Sequence, residues 1–310
     1  MPLSSIIPRY KLCDLQLNMR IYWRQWIVNK ELKIESLYGC FDLNSTETEN
    51  YTKPNIKYNN IIPSIPLTHG WDCFDFAKKI KLKPGQPIEQ TIFHTYWRSD
   101  LRPLGDKQIA TLKSFFATQN RTPIENSKNL LNIEDKHAYL DGDLIRLLVL
   151  YEHGGIWFDM DSLLIRDFSP LTEYEWVGQW DCFLPEGFPF NGAVMRFRKK
   201  SPYVCEFLSE MSNGPTPRKD STDWGSTLYF KIFKRLIQNG VETFKIIPWC
   251  YTDPSLCNPD NSMPNAFKET EFDEERLLQV FSYHWHNQWD KKKGSLFRFL
   301  ENRNNDLLGF

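Results

Sequence analysis

Long apolar runs are missing from this chain of 310 residues, and without them nothing reads as a membrane span. The longest, such as IIPSIPL at residues 61–67, are short and broken by proline. The opening MPLSSIIPRYKLCDLQLNMR lacks the apolar core of roughly 7–15 residues, behind a basic region, that marks a secretory signal. Charge of one sign is scarce too: 38 basic and 39 acidic residues without a strong block give no reason to expect a nucleic-acid or membrane surface. The 7 cysteines are odd in number and none are spaced as CxxC, which argues against a zinc site and against a complete disulfide framework. Reduced thiols are the expectation. Sequons at Asn44, Asn50 and Asn120 are close to the number chance supplies and decide nothing. No internal repeat or low-complexity tract appears.

What is present is concentrated in YLDGDLIRLLVLYEHGGIWFDMDSLLI, residues 139–165. Asp141 reads as the cap of a helix whose first turn carries Asp143, with Leu144, Leu147, Leu148 and Tyr151 forming its apolar face. Gly154 and Gly155 end that helix, because glycine takes the left-handed conformation at no steric cost. Ile156 to Phe158 read as a short buried strand that delivers Asp159 and Asp161 at its end. In extended backbone, residues i and i+2 point to the same side about 6.5 Å apart, so two carboxylates can address one cation. Hard oxygen ligands suit Mg²⁺ or Mn²⁺, which keep positions open for phosphate oxygens. Taken alone, an Asp-x-Asp triplet is an ordinary turn, and Asp143 with Arg146 is a helix surface pair worth a few tenths of a kcal/mol.

Other segments give the triplet its context. In chain order they are TIFHTYWRSD (91–100), FNGAVMRFRKKSPYVCEFL (190–208), DWGSTLYFKIFKR (223–235) and YHWHNQW (283–289). Together with residues 139–165 they resemble family 32 of the Asp-x-Asp glycosyltransferases, which includes α1,4-galactosyltransferases, α1,4-N-acetylglucosaminyltransferases and yeast initiating α1,6-mannosyltransferases. The resemblance spans about residues 91–290.

It implies an α/β chain with a GT-A-type, Rossmann-like nucleotide-sugar-binding fold, its mixed central sheet flanked by helices. It also implies an enzyme, a hexosyltransferase that retains anomeric configuration. Asp159 and Asp161 would bind metal and diphosphate. Asp143 and Arg146 would hold the donor's ribose and sugar, and Gly155 belongs to the same donor-binding set. Trp97 would lie near the base, where stacking supplies about 1–3 kcal/mol. Asn191 and Gly192 would sit beside the transferred sugar, with glycine allowing close approach of backbone to ligand. His284 would complete the metal site, with His286 as second choice, and an imidazole ligand favours Mn²⁺ over Mg²⁺. Asp223, at the start of the Trp-Gly helix, is the carboxylate expected near the anomeric carbon, with Asp181 and Glu186 as further catalytic candidates. The donor is expected to be a UDP-sugar and the acceptor a glycan, with no nucleic-acid partner and no membrane span. Relatives in animals and fungi usually carry an N-terminal anchor; this sequence departs from them in showing no such run, so the expected location is cytoplasmic or otherwise soluble, or that of a Golgi-type chain trimmed of its anchor.

The organisation expected is an appended segment over residues 1–88 and a catalytic domain over 89–310. The first contains aromatic strands near IYWRQWIV (21–28) and a loop-rich stretch from Asn44 to Pro66. The second alternates strand and helix. Two rivals are a metal-dependent phosphoryl-transfer enzyme, which also uses paired aspartates, and a non-catalytic carbohydrate-binding protein. The first leaves the Asn-Gly-Ala and Trp-Gly segments unexplained.

Overall fold

A computed structural model describes residues 35–41, 70–86, 91–119, 139–180, 190–255 and 262–310. The aromatic stretch at 21–28, the region from Asn44 to Pro66, the three sequons, and Cys13, Cys182 and Cys257 lie outside the described residues, as do the catalytic candidates Asp181 and Glu186.

Helix α1 (Gly70–Lys79) precedes strand β1 (Phe93–His94), helix α2 (Asp106–Thr118) and helix α3 (Tyr139–His153). Strands β2 (Gly155–Phe158), β3 (Ser162–Leu164), β4 (Trp176–Gln179) and β5 (Phe190–Phe197) follow. The chain continues through helices α4 (Pro202–Asn213) and α5 (Ser226–Gln238), strand β6 (Lys245–Ile247), a short helix α6 (Glu274–Leu277), strand β7 (Ser282–His284) and helix α7 (Ser295–Leu308).

Five strands form one sheet in the order β1-β2-β5-β4-β6. Its outer pairs, β1 with β2 and β4 with β6, are parallel, while β5 runs antiparallel to both neighbours. The mixed central sheet flanked by helices is therefore as expected. A second ladder pairs β3 with β7 antiparallel and sets Ser162 opposite His284.

Apolar side chains from the two sides of the main sheet make two cores. One gathers Phe115, Phe158, Trp176, Trp249, Phe281 and Trp285; the other gathers Leu147, Trp157, Phe190, Phe207, Tyr229 and Phe244. Helix α4 starts as its sequence dictates, with Pro202 at the first helical position and the Ser201 hydroxyl accepting from Val204 N–H. Phe207 and Val204 then face the sheet. Helix α5 presents Leu228, Ile232 and Leu236 to the same core.

Three local expectations are corrected. Asp141 is not a cap but lies inside the first turn of α3, buried, with its carboxylate 2.6 Å from Arg98 Nη1. The buried stripe of α3 runs through Leu140, Asp143, Leu147 and Leu150, while Leu148 is exposed, so the face turned inward is one residue out of phase with the predicted one. The cause is chemical: the inward face carries the Asp143–Arg146 pair, which apolar periodicity does not see. The thiols are not all reduced either, because Cys40 is bonded to Cys205 and Cys73 to Cys250.

Those bonds tie the N-terminal stretches down, with polar contacts beside the first. Tyr38 N–H donates to Glu206 at 3.0 Å and Tyr38 O–H to Glu210 at 2.9 Å, while Arg235 bridges Glu210 and Glu35. Phe41 joins the core against Tyr203. Cys73, Phe74 and Ala77 of α1 are fully buried beside Trp249 and Cys250. Among the described residues, no helix is long and apolar enough to cross a membrane.

Candidate functional site

The glycines after α3 set the position of β2. Gly154 lies at φ +69° and Gly155 at φ +109°, conformations that favour glycine. A Cβ on Gly155 would fall 2.2 Å from the Ile92 carbonyl oxygen, so this residue lets β2 close against β1. Ile156 N–H then donates to that same carbonyl at 2.8 Å. Gly155 thus serves strand pairing in the structure.

Asp159 continues the β2 ladder, its N–H donating to Ala193 C=O at 2.7 Å, and Asp161 is turned out of it. They occupy the turn between β2 and β3, closed by Ser162 N–H donating to Asp159 C=O at 2.9 Å. Asp161 C=O accepts from Trp285 N–H at 2.9 Å, continuing the β3–β7 ladder by one residue. That ladder brings His284 to the carboxylates from far along the chain. His284 Nε2 lies 3.1 Å from Asp161 Oδ2, and ligand atoms of Asp159, Asp161 and His284 lie within 4.8 Å of one another. Two carboxylates and an imidazole at this spacing could hold one divalent cation.

Each carboxylate is braced. Asp159 Oδ1 accepts from Arg146 Nη2 at 2.8 Å and from the Trp157 indole N–H at 2.6 Å; both bonds fall on Oδ1, and Oδ2 takes neither. Asp161 Oδ2 accepts from Asn287 N–H at 2.7 Å. Burial works against charge on Asp161, but His284, Asn287 and His286 outweigh it and hold its pKa below the usual carboxylate range. Burial likewise disfavours the imidazolium of His284, yet Asp161 and Asp253 hold its pKa well above the ordinary histidine value. The site favours a positive charge between its carboxylates, which a cation would supply.

Beside this cluster lies a second, buried network. Arg146 Nη1 donates to Asp143 Oδ1 at 2.9 Å and to Tyr229 Oη at 3.0 Å, and its guanidinium lies over the Trp157 ring. The pair is not on a surface: both residues are buried. Two glycines wrap it. A Cβ on Gly192 would meet Arg146 Nη1 at 2.5 Å, and one on Gly225 would meet Asp143 Oδ2 at 3.0 Å. The Asn-Gly-Ala strand and the Trp-Gly helix therefore converge on Asp143 and Arg146.

The Asn191 side chain is fully engaged in the site: Nδ2 donates to Asp253 Oδ2 at 2.9 Å, and Oδ1 accepts from Ala193 N–H at 2.9 Å. Trp97 is half-buried, its indole N–H donating to Arg102 C=O at 2.9 Å and its ring 4.8 Å from Trp289. Trp289 in turn meets Trp285 at 4.4 Å and donates to Asn287 Oδ1 at 3.0 Å. A relay of indoles thus joins Trp97 to the turn that caps Asp161.

Asp223 does not open α5, whose N-cap is Gly225. Its carboxylate takes three bonds from Arg218, which pull its pKa down to about 2. His286 is not among the residues whose ligand atoms converge with Asp159 and Asp161; its Nε2 lies 3.1 Å from Asp253 Oδ1 and its ring against Trp180.

Residues 79–177 match the family model of the glycosyltransferase sugar-binding region containing the DXD motif. That match supports a glycosyltransferase-type domain, and the mixed α/β architecture is consistent with a GT-A-like one. Over 68 residues the chain is 40% identical to an Arabidopsis thaliana protein, "Uncharacterized protein At4g19900". That stretch is 22% of this chain and 10% of the Arabidopsis protein, so the chain spans a small part of that relative's length. No solved structure matches it.

Two residues of the site carried no signal of their own in the sequence: Tyr229 and Asp253. Tyr229 falls on the inward face of an amphipathic helix, where a tyrosine reads as core. Asp253 sits in an irregular loop, whereas Asn287, within the YHWHNQW segment, serves Asp161 through its backbone N–H rather than its side chain.

Proposed function

We propose that the protein is a metal-dependent glycosyltransferase that moves a hexose, with retention, from a UDP-sugar to a hydroxyl of a glycan acceptor. The observation that carries this reading is the convergence of Asp159, Asp161 and His284, two of them in the segment that matches the DXD sugar-binding region. The donor set fits the cation: two hard carboxylates and one imidazole, with charge and hydrogen bonds arranged to accept a positive ion. Mn²⁺ is the proposed ion, held by these three residues, and when bound it supplies neutralisation of charge on the leaving diphosphate.

The remaining roles belong to the chain itself. Arg146, fixed by Asp143, Asp159 and Tyr229, offers a rigid cation beside the carboxylate turn and orients Asp159. Gly192 leaves room for Arg146 Nη1 and Gly225 for the Asp143 carboxylate, so the pair packs directly against both segments, and Asn191 and Gly192 are proposed to lie beside the transferred sugar. Trp97 is the proposed base-side aromatic, steadied by its contact with Trp289. Asp223, ionised and two residues before the glycine that abuts Asp143, is proposed as electrostatic support for positive charge developing on the sugar. Asp181 and Glu186 remain the other carboxylates proposed for that position.

We also propose that residues 1–88 form an appended segment strapped onto a catalytic domain over 89–310, and that the chain works in an oxidising compartment. Two disulfides joining the two parts support both readings, since such bonds persist where thiols are not kept reduced.

The test is nucleotide release from a panel of UDP- and GDP-sugars with Mn²⁺, with and without EDTA, for the wild type and the Asp159→Asn, Asp161→Asn double variant. Metal-dependent release from one donor, lost in the variant, is expected. Absence of both turnover and donor binding across the panel would overturn the reading in favour of a non-catalytic carbohydrate-binding protein.

A further inference from the structure

A histidine that binds a cation through Nε2 must keep that nitrogen free of a proton, so the neutral ring carries its proton on Nδ1. That proton requires an acceptor. Among the described residues, two polar groups face Nδ1 of His284: Asp253 Oδ2 at 3.2 Å and Asn191 Nδ2 at 3.2 Å. An amide nitrogen donates and cannot accept, and the Asn191 amide is fixed in this orientation because its oxygen is taken by Ala193 N–H. Asp253 is therefore the acceptor for the Nδ1 proton.

Asp253 is built for that role. It is fully buried, and it belongs neither to the Asp-x-Asp turn nor to β7. Asn191 donates to its Oδ2, and His286 Nε2 lies 3.1 Å from its Oδ1. His286 and Asn287 hold φ values of +53° and +55°, in the left-handed region that side chains other than glycine seldom adopt. That unusual turn sets His286 against Asp253 and points Asn287 N–H at Asp161. One turn thus clasps both carboxylates that flank His284.

From this geometry, and resting on the metal reading proposed above, we infer that Asp253 is a positioning residue: it fixes His284 in the Nδ1–H tautomer and aims Nε2 at the Asp159–Asp161 pair. Asn191 then acts by holding the Asp253 carboxylate. Asp253, His284 and His286 also lie within 4.8 Å of one another. A ring nitrogen that donates its proton to Asp253 cannot ligate a second ion there, so the inference excludes a second cation held by Asp253, His284 and His286 together.

Titration of the full chain with Mn²⁺ alone, followed by electron paramagnetic resonance of the free ion, tests this on wild type and Asp253→Asn, with thermal unfolding recorded without metal. The wild type is expected to bind one ion. Asp253→Asn is expected to unfold cooperatively and bind that ion about 10–100-fold more weakly, the usual effect of removing an outer partner of a metal-bound histidine. Unchanged affinity in a folded variant overturns the inference, as does a second equivalent of Mn²⁺ in the wild type that the variant loses. Should the variant fail to fold, wild-type protein with ¹⁵N-labelled histidine and diamagnetic Zn²⁺ gives the answer. A proton on His284 Nδ1 with Nε2 ligated is expected; ligation through Nδ1 overturns it. A wild type that binds no Mn²⁺ refutes the metal reading itself, and this inference with it, before any variant is compared.

Discussion

Replacing Gly192 with alanine adds one methyl group, and the structure says where it would go. The new Cβ would lie 2.5 Å from Arg146 Nη1 and 2.9 Å from Tyr229 Cε2. Ordinary contact between such atoms is about 3.5 Å, so the guanidinium must retreat by about 1 Å. Nη1 now donates over 2.9 Å to Asp143 and 3.0 Å to Tyr229, and a retreat of that size takes both beyond hydrogen-bond range. A long side chain could swing away cheaply on a surface. Here it is buried, lies over Trp157 and is paired on both sides. Hydrogen bonds to charged groups contribute about 1.5–3 kcal/mol each, and breaking a buried pair outright costs about 3–5 kcal/mol. With the Nη2–Asp159 bond partly retained, the expected loss is about 3 kcal/mol. At an unfolding entropy of about 2.1 cal/mol/K per residue, that corresponds to a fall of about 5 °C in Tm. Because Arg146 also steadies Asp159, Mn²⁺ affinity is expected to weaken by about tenfold, equivalent to ~1.4 kcal/mol of the loss reaching the metal site. Gly225→Ala, whose Cβ would stand 3.0 Å from Asp143 Oδ2, is the milder control and should lower Tm by less. Differential scanning calorimetry and Mn²⁺ titration on the three proteins measure all of this. A Gly192→Ala variant that melts within about 1 °C of wild type, with unchanged affinity, would refute the packing argument.

Metal affinity is expected to rise with pH. Against the opposing effect of burial, Asp161 and Asp253 hold the His284 pKa well above its unfolded value of about 6.5, and a cation must expel the proton held there. Mn²⁺ binding by titration calorimetry should tighten by up to about tenfold per pH unit until the raised pKa is passed, and a flat profile would refute this. In the metal-free protein the sign is opposite: a raised folded pKa gives stability that is complete below the unfolded value and lost as pH rises through the folded one. Reduction of the disulfides should lower Tm strongly, since loops with sequence separations of 165 and 177 residues correspond to about 5 kcal/mol each in the chain-entropy picture, less than additively because the loops overlap. A melt unchanged by dithiothreitol would contradict the pairing. Asp223→Asn should slow nucleotide release by about tenfold or more while leaving Mn²⁺ affinity intact, as expected for electrostatic support of the reacting sugar. An unchanged rate would remove Asp223 from the reaction and direct attention to Asp181 and Glu186.

What the sequence made legible was whatever a short local pattern can encode. Glycines 154 and 155 announced the end of α3, Ser201 and Pro202 the start of α4, and the alternation of strand and helix the mixed α/β sheet. Asp159, Asp161 and His284 could be named because each lies in a segment with its own resemblance. The misreadings share one physical origin. Periodicity records the burial of apolar groups, so the face of α3 that buries a charged pair was displaced by a residue, and Asp141, bonded to Arg98 across 43 positions, read as a cap. Pairings across still longer separations leave no local trace, which is why the cysteines looked unpaired.

The same reasoning explains why Asp253 escaped notice although the site depends on it. A metal ligand must project from a defined turn or strand end, and that requirement leaves a spacing behind. An acceptor for an imidazole proton needs only to be buried in the right place, so any loop that reaches the site can provide it. Its signature is three-dimensional: a buried carboxylate surrounded by an amide from β5 and two imidazoles from the end of β7 and the turn after it. Burial of such a group is costly unless its hydrogen bonds are satisfied, and those of Asp253 are. The cost is sustained at a place where the one ring it orients is also the ring that completes the Asp159–Asp161 cluster.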